Sequence, residues 1–90
     1  MDQDLSHFSV ERNRIYMSND NGNIVAEITF PETSPGVFTI DHTFVDSSMR
    51  GMGMASRLVQ AAVHEIQKQN GRVEATCSYA MKWMSEHKES

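Results

Sequence analysis

The residues Arg50-Gly51-Met52-Gly53-Met54-Ala55 place a forked cation and two glycines directly ahead of an amphipathic stretch. If that stretch is a helix, its first backbone N–H groups have no intrahelical partner and carry positive partial charge. Small residues let a ligand approach such a terminus closely, and it binds phosphate or pyrophosphate without needing lysines. Arg50 adds a planar donor suited to the same anion. The spacing is R-x-x-G-x-A. It is neither the P-loop G-x-x-x-x-G-K-[ST] nor the dinucleotide pattern G-x-G-x-x-G. On the loop alone a second reading stands beside anion binding, that of a glycine-rich connection that lets helix and sheet pack.

Cys77 is the single cysteine. It precedes Ser78, whose hydroxyl suits the N-cap of a final helix. A thiol beside a helix N-terminus ionises more readily, and a thiolate can serve as a nucleophile in covalent catalysis. A lone cysteine on the apolar side of a strand serves equally well as a small buried hydrophobe. His42 offers a general base near pH 7. Its position in line with Phe38, Ile40 and Phe44 also fits a core histidine bonded to backbone. His7, His64 and His87 show no ligand spacing with Cys77, and no metal is expected. His64 falls on the polar side of the long helix, and Glu27 and Glu65 read as ordinary surface carboxylates.

The elements that must hold these groups follow from period and punctuation. Asn19-Asp20-Asn21-Gly22-Asn23 is a turn, because Asn and Gly tolerate positive φ. It divides a strand around Asn13 to Met17 from a run in which Ile24, Ala26, Ile28 and Phe30 alternate with more polar residues. Pro31 ends that run, since proline cannot donate to a ladder, and the PETSPG segment to Gly36 reads as a second turn. Val37 to Val45 reads as a third extended run, with Phe38, Ile40, His42 and Phe44 on one face. Connections this short make an antiparallel meander. Ala55, Leu58, Val59, Ala62, Val63 and Ile66 then form one helical stripe. Gly71 stands where a helix C-cap favours left-handed backbone. Val73, Ala75 and Cys77 alternate as a short strand, followed by a helix with Ala80, Trp83, Met84 and His87 on one face. That face suits a core stripe better than a cofactor box. A right-handed crossover makes the last strand parallel to the third. The fold class is α+β, a meander followed by β-α-β-α. If the third and last strands are neighbours, His42 and Cys77 come within reach of each other.

Composition bounds the partners. Ninety residues allow one domain, and a chain near this size buries only about 60% of its unfolded surface. Eight Lys and Arg against twelve Asp and Glu leave a net charge of −4. That balance suits cationic amines and opposes a nucleic-acid backbone. No apolar run approaches the roughly 20 residues that span a bilayer. Met1, Asp2, Gln3 and Asp4 form an acidic start without an apolar stretch, so no signal peptide is expected. A single thiol excludes an internal disulfide and fits a reducing cytoplasm. The seven methionines suit irregular core gaps, with Met49, Met52 and Met54 placed to touch a ligand at the loop.

Taken together, Asp41-His42-Thr43, Val45, the Arg50 to Ala55 loop, Leu58-Val59, Cys77-Ser78-Tyr79 and Trp83 resemble the GNAT superfamily of acetyl-CoA-dependent N-acetyltransferases. The resemblance is closest to its small branch of roughly 90-residue proteins and runs from about Phe8 to His87. It implies that the backbone from Gly51 to Ala55 holds the coenzyme A pyrophosphate and that the pantetheine arm lies beside Phe44 and Val45. It suggests Cys77 and His42 as catalytic candidates, and an amine, small or on a flexible chain, as acceptor. Met52 and Met54 stand where the family often has basic or branched residues, which leaves phosphate binding to the backbone. The chain also lacks the N-terminal helices and last strands that shape the acceptor site in larger members. A non-catalytic coenzyme A-binding module shares the loop but needs neither Cys77 nor His42, and a plain edge-strand interaction domain needs no ligand.

Overall fold

The computed structural model describes residues 8–86; the acidic first residues, His7 and His87 lie outside them. Strands β1 (Ser9–Glu11) and β2 (Arg14–Ser18) form a hairpin. The sequence gives no sign of β1, whose three exposed residues have no alternation to read. In the predicted turn, the Asn19 side-chain oxygen accepts from the N–H groups of Asn21 (2.9 Å) and Asn23 (3.0 Å). Strand β3 (Ile24–Thr29) then returns antiparallel to β2, with Ala26 and Ile28 fully buried. It ends two residues before Pro31, as the missing proline N–H requires. The PETSPG segment is more than a turn. Within it β4 (Glu32–Ser34) pairs with β5 (Val37–Ile40).

The expected third strand is broken at Asp41 into β5 and β6 (His42–Val45), which join different sheets. Thr29 faces His42 across the ladder, yet its carbonyl accepts the N–H of Asp41 (3.2 Å) and its hydroxyl donates to the Asp41 carboxylate (2.6 Å). Two residues against one is a β-bulge, and the extra residue reverses which side chains face inward. Phe38 and Ile40 are buried before it. After it Thr43 and Val45 are half-buried while His42 and Phe44 are exposed. The expectation that Phe38, Ile40, His42 and Phe44 share a face is therefore corrected, because period two cannot be carried across a bulge.

Helix α1 (Met54–Lys68) connects to β7 (Arg72–Ala75), which lies parallel to β5 as expected, with Phe38 opposite Val73 and Ile40 opposite Ala75. One sheet runs β1-β2-β3-β6 and the other β4-β5-β7, giving the α+β class and the meander-then-β-α-β-α order read from the sequence. α1 packs against β2, β3, β6 and β7, so it spans both sheets. Its buried face is correspondingly broad. Met54 and Ala61 join Leu58, Val59, Ala62 and Ile66 inside, while Ala55 and Val63 are only half-buried. Helix α2 (Ser78–Glu86) packs on β7 and α1; Ala80 is fully buried, and Trp83 Nε1 donates to Ser56 Oγ (2.8 Å).

α1 closes with the Gly71 N–H on the Ile66 carbonyl and the Asn70 N–H on the Gln67 carbonyl, both 2.9 Å. Asn70, not Gly71, takes the left-handed conformation, with φ of 60°. Gly71 is glycine for space. A Cβ there would lie 2.7 Å from the Phe38 ring and 2.9 Å from Ile66 Cγ2, and both side chains are buried. Gly71→Ala is expected to cost about 1–3 kcal/mol through overpacking. The check is a lowered urea midpoint at unchanged slope.

Candidate active site

The loop between β6 and α1 is ordered by its own polar groups. The Asp46 carboxylate caps a short 3-10 turn (Ser47–Met49), accepting from the Ser48 N–H (3.0 Å) and hydroxyl (2.7 Å). The Ser48 hydroxyl and N–H hold that carboxyl below its ordinary pKa against a smaller desolvation effect, and Arg50 adds to the pull. Gly51 and Gly53 follow with φ of 83° and 70°. Gly53 is the N-cap of α1 and brings no side chain to it, and the first turn holds no acidic residue. The first helical bond runs from the Arg57 N–H to the Gly53 carbonyl (3.1 Å). The amides of Met54, Ala55 and Ser56 therefore carry the helix's positive end with no capping side chain.

A groove of about 320 Å³ lies over this terminus. Val45, Arg50, Gly51, Gly53, Met54 and Ala55 line it, joined by Met49, Ser56 and Tyr79. Met54 is at once groove floor and core, only 5% exposed. Two of the residues singled out in the sequence, Met52 and Phe44, do not line the groove. Met52 is 58% exposed and Phe44 projects from the outer face of β6. Arg50 Nε reaches the Val45 carbonyl at 3.4 Å, which draws the guanidinium to the groove wall. Ser56 was legible as the next residue of an uncapped first turn. Tyr79 was not, since it arrives from another helix.

A fork opens beside the groove, where β6 leaves the plane of β5 while β7 stays with it. The Asp46 N–H donates to the Val25 carbonyl (2.8 Å). Strand alternation then turns the Phe44 N–H toward β3 and those of Thr43 and Val45 into the fork. Cys77 sits at the closed end of the fork. Its N–H and that of Thr76 both donate to the Ile40 carbonyl, at 3.2 and 3.0 Å, just before the bulge. Its own carbonyl accepts the Met81 N–H (2.9 Å), so Cys77 and not Ser78 is the N-cap residue of α2. The helix begins one residue earlier than the Ser78 hydroxyl suggested. Sγ is half-buried, 3.5 Å from Thr43 Oγ1. Burial pushes the thiol pKa up. The Ala80 N–H, the Thr43 hydroxyl and the N–H groups of Tyr79 and Thr43 pull it down and together prevail, leaving it below its ordinary value.

His42 occupies the opposite face of β6 from Thr43. Its side chain is 55% exposed, with Nε2 3.9 Å from Glu27 Oε1. Glu27 is no ordinary surface carboxylate, because its other oxygen accepts Arg14 Nε at 2.6 Å, and the Arg14 guanidinium lies 4.1 Å from the Tyr16 ring centroid. Since Cys77 rests against Thr43, the fold does not aim His42 at the thiol. Among the described residues no group of three His, Cys, Asp or Glu side chains could hold a metal ion, and no helix is long and apolar enough to cross a membrane.

The model of a protein family described as GCN5-related N-acetyl-transferase matches residues 14–90. A GCN5-like protein from Staphylococcus aureus, solved in solution, is 28% identical and superposes with a TM-score of 0.73, covering 91% of this chain and 82% of its own. An acetyltransferase of the GNAT family from Staphylococcus aureus Mu50 is 18% identical at a TM-score of 0.66, with 81% of this chain and 49% of that one covered. The ribosomal-protein-alanine N-acetyltransferase of Brucella melitensis is 20% identical at a TM-score of 0.59, covering 86% of this chain and 62% of its own. These last two show a shared fold, and this chain spans only about half to three-fifths of their length. No curated protein matches the sequence.

Proposed function

The chain belongs to the GCN5-related N-acetyltransferase family, and from that premise we propose that it moves acetyl from acetyl-CoA to an amine, small or carried on a flexible chain. The supporting observation is an uncapped helix terminus under a groove that Tyr79 also lines, with Tyr79 two residues on from Cys77. The coenzyme A pyrophosphate lies on the Gly51 to Ala55 backbone, with Arg50 beside it. The pantetheine arm runs along the Val45 edge of β6, whose N–H faces the fork, and that N–H receives the charge developing on the thioester oxygen.

In this reading the Cys77 thiolate attacks the thioester carbonyl. A new S–C bond forms to Cys77, the bond to the coenzyme A sulfur breaks, and coenzyme A leaves as a thiolate that takes a proton from solvent. A neutral amine then attacks the acyl-cysteine. It forms the amide, loses a proton, and returns the electron pair to Sγ. His42, outside the fork, is placed to take that proton only from an acceptor entering over the outer sheet face.

Calorimetry with coenzyme A is expected to show one site per chain. Acetyl-CoA incubated with mixed amines is expected to yield acetylated amine and free coenzyme A by mass spectrometry. Cationic amines should be favoured, less so at high salt, because the chain carries −4 net charge. Binding without turnover across the amine panel would leave a coenzyme A-binding module in its place.

A further inference from the structure

We propose that Thr43 is the positioning residue for the Cys77 thiol, holding Sγ at the closed end of the fork through its side-chain oxygen and its backbone N–H. This deepens the acetyl-relay reading above and rests on it for its catalytic meaning, but its structural content stands apart. Thr43 Oγ1 and Cys77 Sγ are 3.5 Å apart, 34 residues distant in sequence, so only the fold unites them. The bulge at Asp41 is what makes the pairing possible. Without the extra residue, β6 would present His42 and Phe44 inward and Thr43 outward.

The hydroxyl is suited to both forms of the sulfur. It accepts from the neutral S–H, and by rotating about its C–O bond it donates to the thiolate. The donors that converge on Sγ come from two elements: Thr43 on β6, and the N–H groups of Tyr79 and Ala80 on α2. The charged groups nearby are engaged or turned away. Asp41 accepts from Thr29 at 2.6 Å, Glu74 is exposed on β7, and the first turn of α2 holds no acid. Thr43 thus supplies a neutral, directional contact to the thiol, and His42 lies on the other face. An S–H or S⁻ fixed between a helix terminus and a strand hydroxyl has few rotamers left to it, which aims it along the fork.

The test is the pH profile of Cys77 alkylation by iodoacetamide in the full chain, which needs neither acetyl-CoA nor an acceptor. Thr43→Val keeps the shape and strand preference of threonine and removes the hydroxyl. Thr43→Ala also removes the hydroxyl, with a smaller side chain, should valine perturb the fold. Thr43→Ser restores the hydroxyl. The expected result is a midpoint moved to higher pH in T43V and T43A, with alkylation at pH 7 about three- to tenfold slower, an unchanged plateau at high pH, and a wild-type midpoint in T43S. An unmoved midpoint in T43V or T43A overturns the proposal. So does a T43S profile that follows T43V, because then bulk and not the hydroxyl sets the thiol. Absence of an acetyl adduct in the wild-type protein would remove the relay without moving these profiles, so the two failures are distinguishable.

Discussion

Cys77→Ala is expected to abolish the acetyl adduct that forms when the protein meets acetyl-CoA alone, and to lower amine acetylation by about 100-fold or more. Intact-mass measurement reads the first effect and a coupled thiol assay the second. Alanine removes one sulfur from a half-buried N-cap position whose backbone bonds to Ile40 and Met81 do not use the side chain. The fold should therefore survive, and coenzyme A affinity with it. The rate of adduct formation in the wild type should rise with pH and level off below the range of an ordinary thiol. Burial raises the Cys77 pKa, but the Ala80, Thr43 and Tyr79 donors lower it further. The deprotonated, reactive form is thus present at lower pH than in a free cysteine. Retained transfer in Cys77→Ala would mean that the amine attacks the thioester directly.

The second large effect is expected at Gly53. Gly53→Val should raise the Kd for coenzyme A at least about tenfold, or roughly 1.4 kcal/mol. A Cβ built on Gly53 meets no protein atom within 4 Å, so the first added carbon enters open space. Gly53 lines the groove, so the added side chain competes for the space through which the pyrophosphate is proposed to reach the amides of Met54, Ala55 and Ser56. The φ of 70° adds a backbone cost for any residue with a Cβ. Calorimetry on the folded variant, checked by circular dichroism, reads the outcome. Arg50→Ala should weaken binding less, because the backbone remains. Unchanged affinity in a folded Gly53→Val protein would move the pyrophosphate off this terminus.

Much of this molecule is decided within short windows of sequence. The Asn19 to Asn23 turn, the end of β3 ahead of Pro31, the α1 stripe and the uncapped Gly53 terminus each depend on residues within a few positions of one another, and each was legible. So was the parallel pairing of β5 and β7, which follows from the crossover rule and not from any contact. The departures are tertiary. The bulge at Asp41 arises because one stretch of chain must serve two sheets, pairing with β7 before the break and with β3 after it. No periodicity in Val37 to Val45 announces it. That single inserted residue turns His42 out and Thr43 in, and so decides which side chain meets Cys77. Gly71 likewise reads as a cap, but the Phe38 ring above it explains it better. The sequence determined by itself that a glycine-rich loop precedes one helix and that the single thiol precedes the next. Only the tertiary structure decided what faces that thiol, because strand register across a bulge is settled by partners far away in the chain.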